Sequence, residues 1–329
     1  MIKIKSATAG YFSKKEKIDI ISEINISAEV GELIALIGIN GSGKSTLLRS
    51  IAGLHKLLSG NIFIDNKKQS EYDKISFAKK TAFVSSEIIN SKYLKVKDVV
   101  ALGRFPHQKI SGRLTEKDNK IITEAFETVG IPHLKEKYIN EISDGERQKV
   151  MTARALAQKT DIILLDEPAA FLDLANKFSL YKILSDTAQK LEKTIIFSTH
   201  DLNIALKYCD KVWLIKNKTI YEGAQEDLFL SGLLSNIFSD KNVIFNSDTF
   251  EFSVRNDKII PVNIVCNKNL TTVKEAVINA LKRKSFYPVN KEADIKIEIK
   301  NQGDYKIFTD DYTFNANNIY NLAKIVKSI

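Results

Sequence analysis

The chain has 329 residues, of which 44% are hydrophobic and 27% charged, and a formal net charge of +9. This length suits two domains, and the composition is that of an ordinary globular protein. The basic residues are scattered without long blocks, so they predict a solvated surface and do not by themselves indicate a nucleic-acid or membrane partner.

Cys209 and Cys266 lie far apart without CxxC spacing, which argues against a zinc site or disulfide framework and fits a reducing compartment. The sequence has neither a signal-peptide core after Met1 nor an apolar run of the ~18 residues that span a bilayer.

The beginning of the chain, to about residue 35, favours short β-strands, because Ile2 and Ile4 alternate with lysines and further isoleucine-rich segments follow. Tyr11 lies beside a glycine in this region. An aromatic ring close to a nucleotide loop can stack on a base. Taken alone, such a tyrosine is more often part of ordinary packing or of a turn surface.

The most informative segment of the sequence is residues 38–46 (GINGSGKST). The apolar run 32–37 precedes them and the helical stretch 47–52 follows, which is the strand–GxxxxGK[ST]–helix order of a phosphate-binding P-loop. In such a loop the glycines let backbone N–H groups surround a phosphate chain, Lys44 reaches the β- and γ-phosphates, and the Ser45 hydroxyl suits Mg²⁺. The sequence therefore predicts that the protein binds a nucleoside triphosphate. The candidate binding residues are Gly38, Asn40, Gly41, Ser42, Gly43, Lys44, Ser45 and Thr46.

The sequence changes character between the P-loop and the next buried strand. Residues 60–65 and 82–84 favour strands, whereas from about Lys95 to Gln158 apolar residues repeat at helical spacing. This pattern predicts a helical subdomain, at about 88–160, inserted into a nucleotide-binding core.

Two later apolar runs end in polar residues. The run 162–165 leads into Asp166 and Glu167, which is the Walker B arrangement: the first carboxylate faces the Mg²⁺ shell, and the second can act as general base. The run 195–197 is followed by His200. A strand that ends in a polar turn is common, and a lone histidine is usually a surface or capping residue. The carboxylate pair is informative because a P-loop precedes it.

Residues 140–148 (NEISDGERQ) distinguish among P-loop proteins. With ARAL at 153–156, they resemble the signature motif of ABC-transporter ATPases. The order of motifs is also similar to that family: an aromatic residue, Walker A, a helical subdomain, the signature, Walker B with its glutamate, a D-loop at 170–173 and a histidine. The resemblance covers residues 1 to about 230. It implies an α/β P-loop ATPase core at 1–235 that contains the helical subdomain.

The resemblance implies roles for the matching residues of one copy of the chain. Tyr11 would stack on the adenine of ATP. Asp166 would support Mg²⁺, together with Ser45 of the P-loop. Glu167 would be the catalytic base, and His200 would contact the γ-phosphate and orient the attacking water.

A further implied role belongs to a second copy. Ser143 and Gly145 would contact the γ-phosphate of the nucleotide on the opposite subunit, so that a homodimer sandwiches two ATP molecules, and Asp173 of the D-loop would also take part in nucleotide binding. The usual LSGGQ is altered here, with Asp144 and Glu146 replacing a glycine and the glutamine. Carboxylates near a γ-phosphate are unfavourable, so either these two point away or the site closes more slowly.

The Q-loop also departs from the family pattern. Ser86 stands where a glutamine is typical, and Glu87 follows it. Either residue is a candidate to supply an oxygen to the metal or the water.

Three segments, 99–107, 114–118 and 198–202, resemble the importer ATPases for ferric siderophores, haem and vitamin B12. That resemblance implies a subunit at the cytoplasmic face of the membrane, bound to permease subunits and indirectly linked to an extracytoplasmic solute-binding protein, with no nucleic-acid partner. Two alternatives remain: an ATPase subunit of an exporter, and a soluble ABC protein that acts on nucleic acid or ribosomes.

Residues 240–329 lie outside the resemblance and predict a small α+β domain. A hairpin is predicted at 243–254, alternating strands at 295–308, and helices that begin with a capping box at 272–275 and near Ile319. The domain is interpreted as an appendage for packing or dimer stability, or alternatively as a regulatory domain that restrains the ATPase.

Overall fold

The computed structural model describes residues 1–13, 16–85, 93–108, 113–234, 243–246, 251–254 and 260–329. Contacts divide the chain into two compact units, Met1–Ser253 and Val254–Ile329. The sequence placed this boundary at 235–240, so nearly all of the predicted hairpin belongs to the first unit instead. Its Phe245 is buried in the first unit's core, and the Asn203 side chain accepts a 2.7 Å hydrogen bond from the Phe252 backbone N–H.

The secondary structure before the second unit follows a mixed α/β order. The strands are β1 (Ile2–Ser13), β2 (Glu16–Ala28), β3 (Leu33–Gly38), β4 (Ser59–Ile64), β5 (Lys67–Lys68), β6 (Thr81–Val84), β7 (Ile162–Asp166), β8 (Thr194–Ser198), β9 (Lys211–Lys216), β10 (Thr219–Gly223), β11 (Val243–Asn246) and β12 (Glu251–Val254). The helices are α1 (Lys44–Ile51), α2 (Lys74–Lys80), α3 (Val96–Ala101), α4 (Glu116–Val129), α5 (Asp144–Ala157), α6 (Leu174–Lys190), α7 (Leu202–Ala205) and α8 (Gln225–Leu230).

A six-stranded sheet forms the centre of the first unit, in the order β10–β9–β3–β8–β7–β6. Strands β9, β3, β8, β7 and β6 run parallel, and β10 pairs antiparallel with β9. Every residue of β3, β7 and β8 is buried, as is usual for parallel strands covered on both faces. Parallel strands end at one edge of a sheet, so the P-loop and the residues that follow β7 and β8 lie at the same edge.

A second, antiparallel sheet has the order β2–β1–β4–β5. Its buried isoleucines pack with one face of the central sheet in a shared hydrophobic core. The long strands β1 and β2 carry Tyr11 and Ile20 to the nucleotide loop.

The predicted helical subdomain is present as α3, the 3-10 helix Leu102–His107, α4 and α5. Helix α4 ends at Gly130, whose φ of 73° lies in the left-handed region that glycine adopts without strain. Gly103 allows the 3-10 helix to approach α5 closely, because a Cβ atom there would lie 2.3 Å from the Arg154 carbonyl oxygen. The apolar residues of α4 with helical spacing are buried, which confirms the helical block.

The second unit is a small α+β fold, as predicted. Its elements are β13 (Ile260–Cys266), α9 (Thr271–Lys282), β14 (Phe286–Val289), β15 (Lys296–Asn301), β16 (Asp304–Phe308), β17 (Thr313–Ala316) and α10 (Ile319–Ser328). The sheet order is β14–β13–β15–β16–β17, and both helices bury apolar residues in its core. The predicted capping box at 272–275 is wrong: a 3-10 turn leads directly into α9, so Thr271 is already helical at φ −55° and ψ −46° and Thr272 cannot be the N-cap.

Within the described parts of the chain, no helix combines the length and the apolar character that are needed to cross a bilayer.

Candidate active site

The P-loop joins the end of β3 to the start of α1. Gly41 and Gly43 have φ values of 79° and 103°, in the left-handed region that glycine adopts without strain. Gly43 is required for a second reason, since a Cβ atom there would lie 2.5 Å from the Ile20 side chain. The loop therefore has the glycine-dependent backbone that a phosphate cradle at a helix N-terminus needs.

Lys44 is the buried cation of this loop. Its ammonium donates hydrogen bonds to the carbonyl oxygens of Gly38 at 2.9 Å and Ile39 at 3.3 Å. Burial lowers the pKa of Lys44, and the nearby carboxylates of Glu167 and Asp166 act in the opposite direction. An anionic ligand would stabilise this buried ammonium, because the carbonyl oxygens that hold it do not neutralise its charge.

The oxygen atoms around Asp166 form the candidate magnesium site. Asp166 Oδ1 accepts hydrogen bonds from the hydroxyls of Ser45 at 3.1 Å and Ser198 at 2.6 Å. Asp166 Oδ2 is buried and has no hydrogen-bond partner among the described residues. Hydroxyl and carboxylate oxygens suit a hard cation that keeps part of its water shell, so Ser45 and Asp166 fit Mg²⁺. An unpartnered buried carboxylate oxygen is costly without such a ligand.

Glu167 and His200 are paired beside the P-loop residues. His200 Nε2 is 2.5 Å from Glu167 Oε1, and both side chains are partly exposed. Glu167 has a φ of 52°, which is uncommon for a residue with a side chain. A carboxylate held by a histidine at the rim of a phosphate site can take a proton from a water molecule.

Tyr11 reaches the P-loop helix from β1. Its hydroxyl lies 2.7 Å from Thr46 Oγ1, and its ring packs against His55 with 4.9 Å between centroids. The ring remains 44% exposed, which leaves area for stacking on a base. His55 was not singled out in the sequence, because a lone histidine beyond the P-loop carries no motif.

The P-loop, Tyr11, Glu167 and His200 line one cleft of about 410 Å³, whereas Asp166 is buried behind it and is not part of the lining. It brings together most of the residues that the sequence predicts and adds Ile20 from β2. The lining residues are Tyr11, Ile20, Asn40, Gly41, Gly43, Lys44, Ser45, Thr46, Glu167 and His200.

Two predicted P-loop residues have other surroundings. The Gly38 carbonyl holds the Lys44 ammonium, and the Ser42 hydroxyl is buried without a hydrogen-bond partner in the described structure. Ser86 and Glu87 lie outside the described residues, so the structure gives no placement for the two Q-loop candidates.

The signature residues do not line this cleft; they form the start of α5. Ser143 is the N-cap: its hydroxyl oxygen accepts a hydrogen bond from the Glu146 N–H at 3.2 Å, and the Glu146 carboxylate accepts one from the Ser143 N–H at 2.9 Å. This backbone hydrogen bond is the main cause that lowers the pKa of Glu146. Asp144 pairs with Arg147. Both unusual carboxylates thus have partners on the signature helix itself.

The D-loop packs against the signature. A Cβ atom on Gly145 would lie 3.1 Å from the Phe171 carbonyl oxygen, so a side chain there would push the D-loop away by a few tenths of an ångström. Asp173, a predicted nucleotide-binding residue, caps α6 by accepting a 2.8 Å hydrogen bond from the Asn176 N–H. Like Ser143 and Gly145, it lies outside the cleft of its own copy.

Comparisons with known proteins agree with this geometry. Residues 21–170 match the family model described as "ABC transporter". The chain is 37% identical over 260 residues to the uncharacterized ABC transporter ATP-binding protein MJ0873 of Methanocaldococcus jannaschii, a match that covers 79% of this chain and 88% of that protein. The chain belongs to the ABC transporter ATP-binding proteins. A further relative in this family is the petrobactin import ATP-binding protein FpuD of Bacillus anthracis, 35% identical over 220 residues, which are 67% of this chain and 81% of FpuD.

A solved ABC cassette also shares the fold. The dimeric structure of MJ0796, a bacterial ABC transporter cassette, matches with a TM-score of 0.61 and 28% identity, over 68% of this chain and 98% of that cassette. The membership and the cleft together identify this protein as an ABC-type ATPase, which binds and hydrolyses ATP.

Proposed function

We propose that this ABC ATPase powers an importer that takes up an iron–siderophore, haem or cobalamin-type complex through partner permease subunits. The observation that carries the proposal is the 35% identity over 220 residues to FpuD, a protein named for petrobactin import. The importer-like segments 99–107, 114–118 and 198–202 support the same assignment. In this proposal the cargo contacts the permease and an extracytoplasmic solute-binding protein, and the ATPase lies at the cytoplasmic face without contacting nucleic acid.

The proposed working state is a homodimer with two ATP molecules between the copies. Ser143 and Gly145 do not line the cleft of their own copy, and they lie at the start of a 14-residue helix, where backbone N–H groups favour an anion. The dimeric state of the MJ0796 cassette supports this arrangement. The P-loop of one copy and the signature of the other then form the two halves of one ATP site.

The residues of the cleft divide the chemistry of hydrolysis among them. Lys44 stabilises negative charge on the β- and γ-phosphates, and Tyr11 stacks on adenine. Glu167 accepts a proton from the attacking water while His200, 2.5 Å away, holds that carboxylate and contacts the γ-phosphate. Ser45 and Asp166 would hold Mg²⁺, which when bound neutralises phosphate charge.

Purification from native membranes tests the proposal. The full-length chain with a tag is expressed in its own cells as the Glu167→Gln variant, which should hold its complex in the ATP-bound form, and the partners are identified by mass spectrometry. We expect a many-helix permease of the importer type. Exporter-type membrane helices, or ribosomal proteins and RNA, would assign the chain to one of the two alternatives.

Uptake provides the second arm of the test. Cells that lack the chain should lose uptake of one of the three cargo classes, measured with labelled ferric siderophore, haem and cobalamin. The wild-type chain should restore uptake, whereas Glu167→Gln should not. Unchanged uptake of all three classes in the deletion strain contradicts the proposal.

A further inference from the structure

One buried hydroxyl contacts both residues of the Walker B pair. Ser198 is the last residue of β8 and is fully buried. The parallel register places it directly beside Asp166, the last residue of β7. Its hydroxyl donates a 2.6 Å hydrogen bond to Asp166 Oδ1 and accepts a 3.0 Å hydrogen bond from the Glu167 N–H.

The first contact fixes the Asp166 carboxylate. Oδ1 accepts hydrogen bonds from both Ser198 and Ser45, while Oδ2 is left without a partner in the described part of the molecule. Two hydroxyls on one oxygen restrict rotation of the carboxylate about its last bond. The other oxygen is then held in one direction, available to the metal shell.

The second contact fixes the backbone of Glu167. A non-glycine residue in the left-handed region costs on the order of 1–3 kcal/mol, so surrounding contacts must hold it there. The Ser198 hydroxyl holds the N–H of Glu167, and the Gln148 amide donates a 3.4 Å hydrogen bond to its carbonyl oxygen. This backbone conformation places the Glu167 carboxylate 2.5 Å from His200.

We infer that Ser198 is a positioning residue for ATP hydrolysis, which sets the orientation of the metal-binding carboxylate and of the catalytic base through a single hydroxyl. The inference rests on the ATPase activity but names a residue outside the cleft lining. The neighbouring hydroxyl of Thr199 has different partners, Tyr181 and the Asp201 N–H, so the function belongs to Ser198 alone of the two.

The primary test is Ser198→Ala in the full-length chain. We expect kcat to fall by about 10- to 100-fold, because displacement of a reacting group by about 1 Å costs up to that factor, while KM and equilibrium ATP binding stay within about twofold. Ser50→Ala is the matched control: it removes a fully buried serine hydroxyl that donates to the Thr46 carbonyl at 2.9 Å, away from the Walker B pair. Equal kcat in Ser198→Ala and the wild type overturns the inference.

A second pair of variants separates the hydroxyl from packing. Ser198→Thr and Ser198→Val have the same shape and differ in the hydroxyl, so any strain from the added volume is common to both. We expect Thr to retain at least about ten times the kcat of Val, the factor that corresponds to one hydrogen bond of about 1.4 kcal/mol. Equal rates in Thr and Val overturn the inference, and this comparison remains valid if Ser198→Ala is too unstable to purify.

A double-mutant cycle tests whether Ser198 acts through Glu167. In the Glu167→Gln background, measured under single-turnover conditions, Ser198→Ala should cause a smaller fold-loss than in the wild type, because residues that act as a unit are non-additive. An equal or larger fold-loss shows an independent structural effect and overturns the inference. If the wild-type chain itself does not hydrolyse ATP, the ATPase assignment fails instead, which is a distinguishable result.

Discussion

The importer-like segment at 99–107 is held in place by a buried ion pair, and removal of Arg104 tests this. The Arg104 Nε donates a 2.8 Å hydrogen bond to Asp118 Oδ1, and its Nη1 donates one of the same length to the Ala157 carbonyl. The two side chains are 6% and 9% exposed. Arg104 thus joins the 3-10 helix to the start of α4 and the end of α5, and the neighbouring Phe105 is left 72% exposed.

The expected cost of Arg104→Met follows from what is left unpaired. Removal of one partner of a buried ion pair costs about 3–5 kcal/mol, because the other charge stays buried without compensation. Asp118 keeps its hydrogen bonds from the Thr115 hydroxyl and N–H at 2.6 and 3.0 Å, which favours the lower end of that range. A loss of about 3 kcal/mol corresponds to a fall in melting temperature of about 6–12 °C for a unit of this size.

The assay is chemical and thermal unfolding of the full-length chain, with Lys97→Met as the matched control. Lys97 makes a 2.8 Å ion pair with Glu136, but the two side chains are 45% and 67% exposed. An exposed pair of this kind contributes little to stability, because water screens the two charges. If Arg104→Met and Lys97→Met lower the stability by the same small amount, the reasoning from burial is refuted.

Three further predictions concern the site and its pH dependence. Glu167→Gln should lower ATP hydrolysis by about 10²–10⁴-fold while ATP binding and the proposed dimer persist, and a parental rate would refute the assignment of the base. Tyr11→Ala should weaken ATP binding by about 5- to 150-fold, the equivalent of about 1–3 kcal/mol of stacking, whereas Tyr11→Phe should bind almost normally; equal losses in both would contradict stacking. The Thr115 hydroxyl, with Arg104, lowers the pKa of Asp118 from 3.8 to about 2. The ionised Asp118 carboxylate therefore contributes its full stabilisation above about pH 4, and this stabilisation is lost as the pH falls through 2. The free energy of unfolding in urea of the wild type should exceed that of Asp118→Asn above pH 4, and the difference should disappear over that interval. A difference that does not change with pH would contradict the prediction.

Motifs that depend on local backbone or on apolar patterns could be predicted from the sequence. The P-loop is recognisable because glycine adopts the left-handed conformations at Gly41 and Gly43 without strain, and β3 and α1 flank it as predicted. The strand before Asp166 is recognisable as an uninterrupted apolar run, which the structure buries on both faces. Gly130 ends α4 for an equally local reason.

Contacts between distant parts of the chain could not be predicted in this way. No local sequence pattern assigns the β11–β12 strand pair to the first unit. The assignment follows from the burial of Phe245 in that unit's core and from the hydrogen bond that the Phe252 N–H donates to the Asn203 side chain. The capping box at 272–275 matches a valid local pattern, but the preceding 3-10 turn starts the helix earlier. Local preference is weaker than the packing that surrounds it.

The sequence by itself determined the class of this protein. A P-loop and a Walker B pair contain the residues that the chemistry requires at fixed spacing, and residues 140–148 resemble the ABC signature. The tertiary structure alone decided how Asp166 and Glu167 are held. Ser198 is separated from them by about thirty residues, and only the register of β7 with β8 brings its hydroxyl to both. The register depends on how two buried strands pair along their whole length, so it cannot be predicted from a short sequence motif.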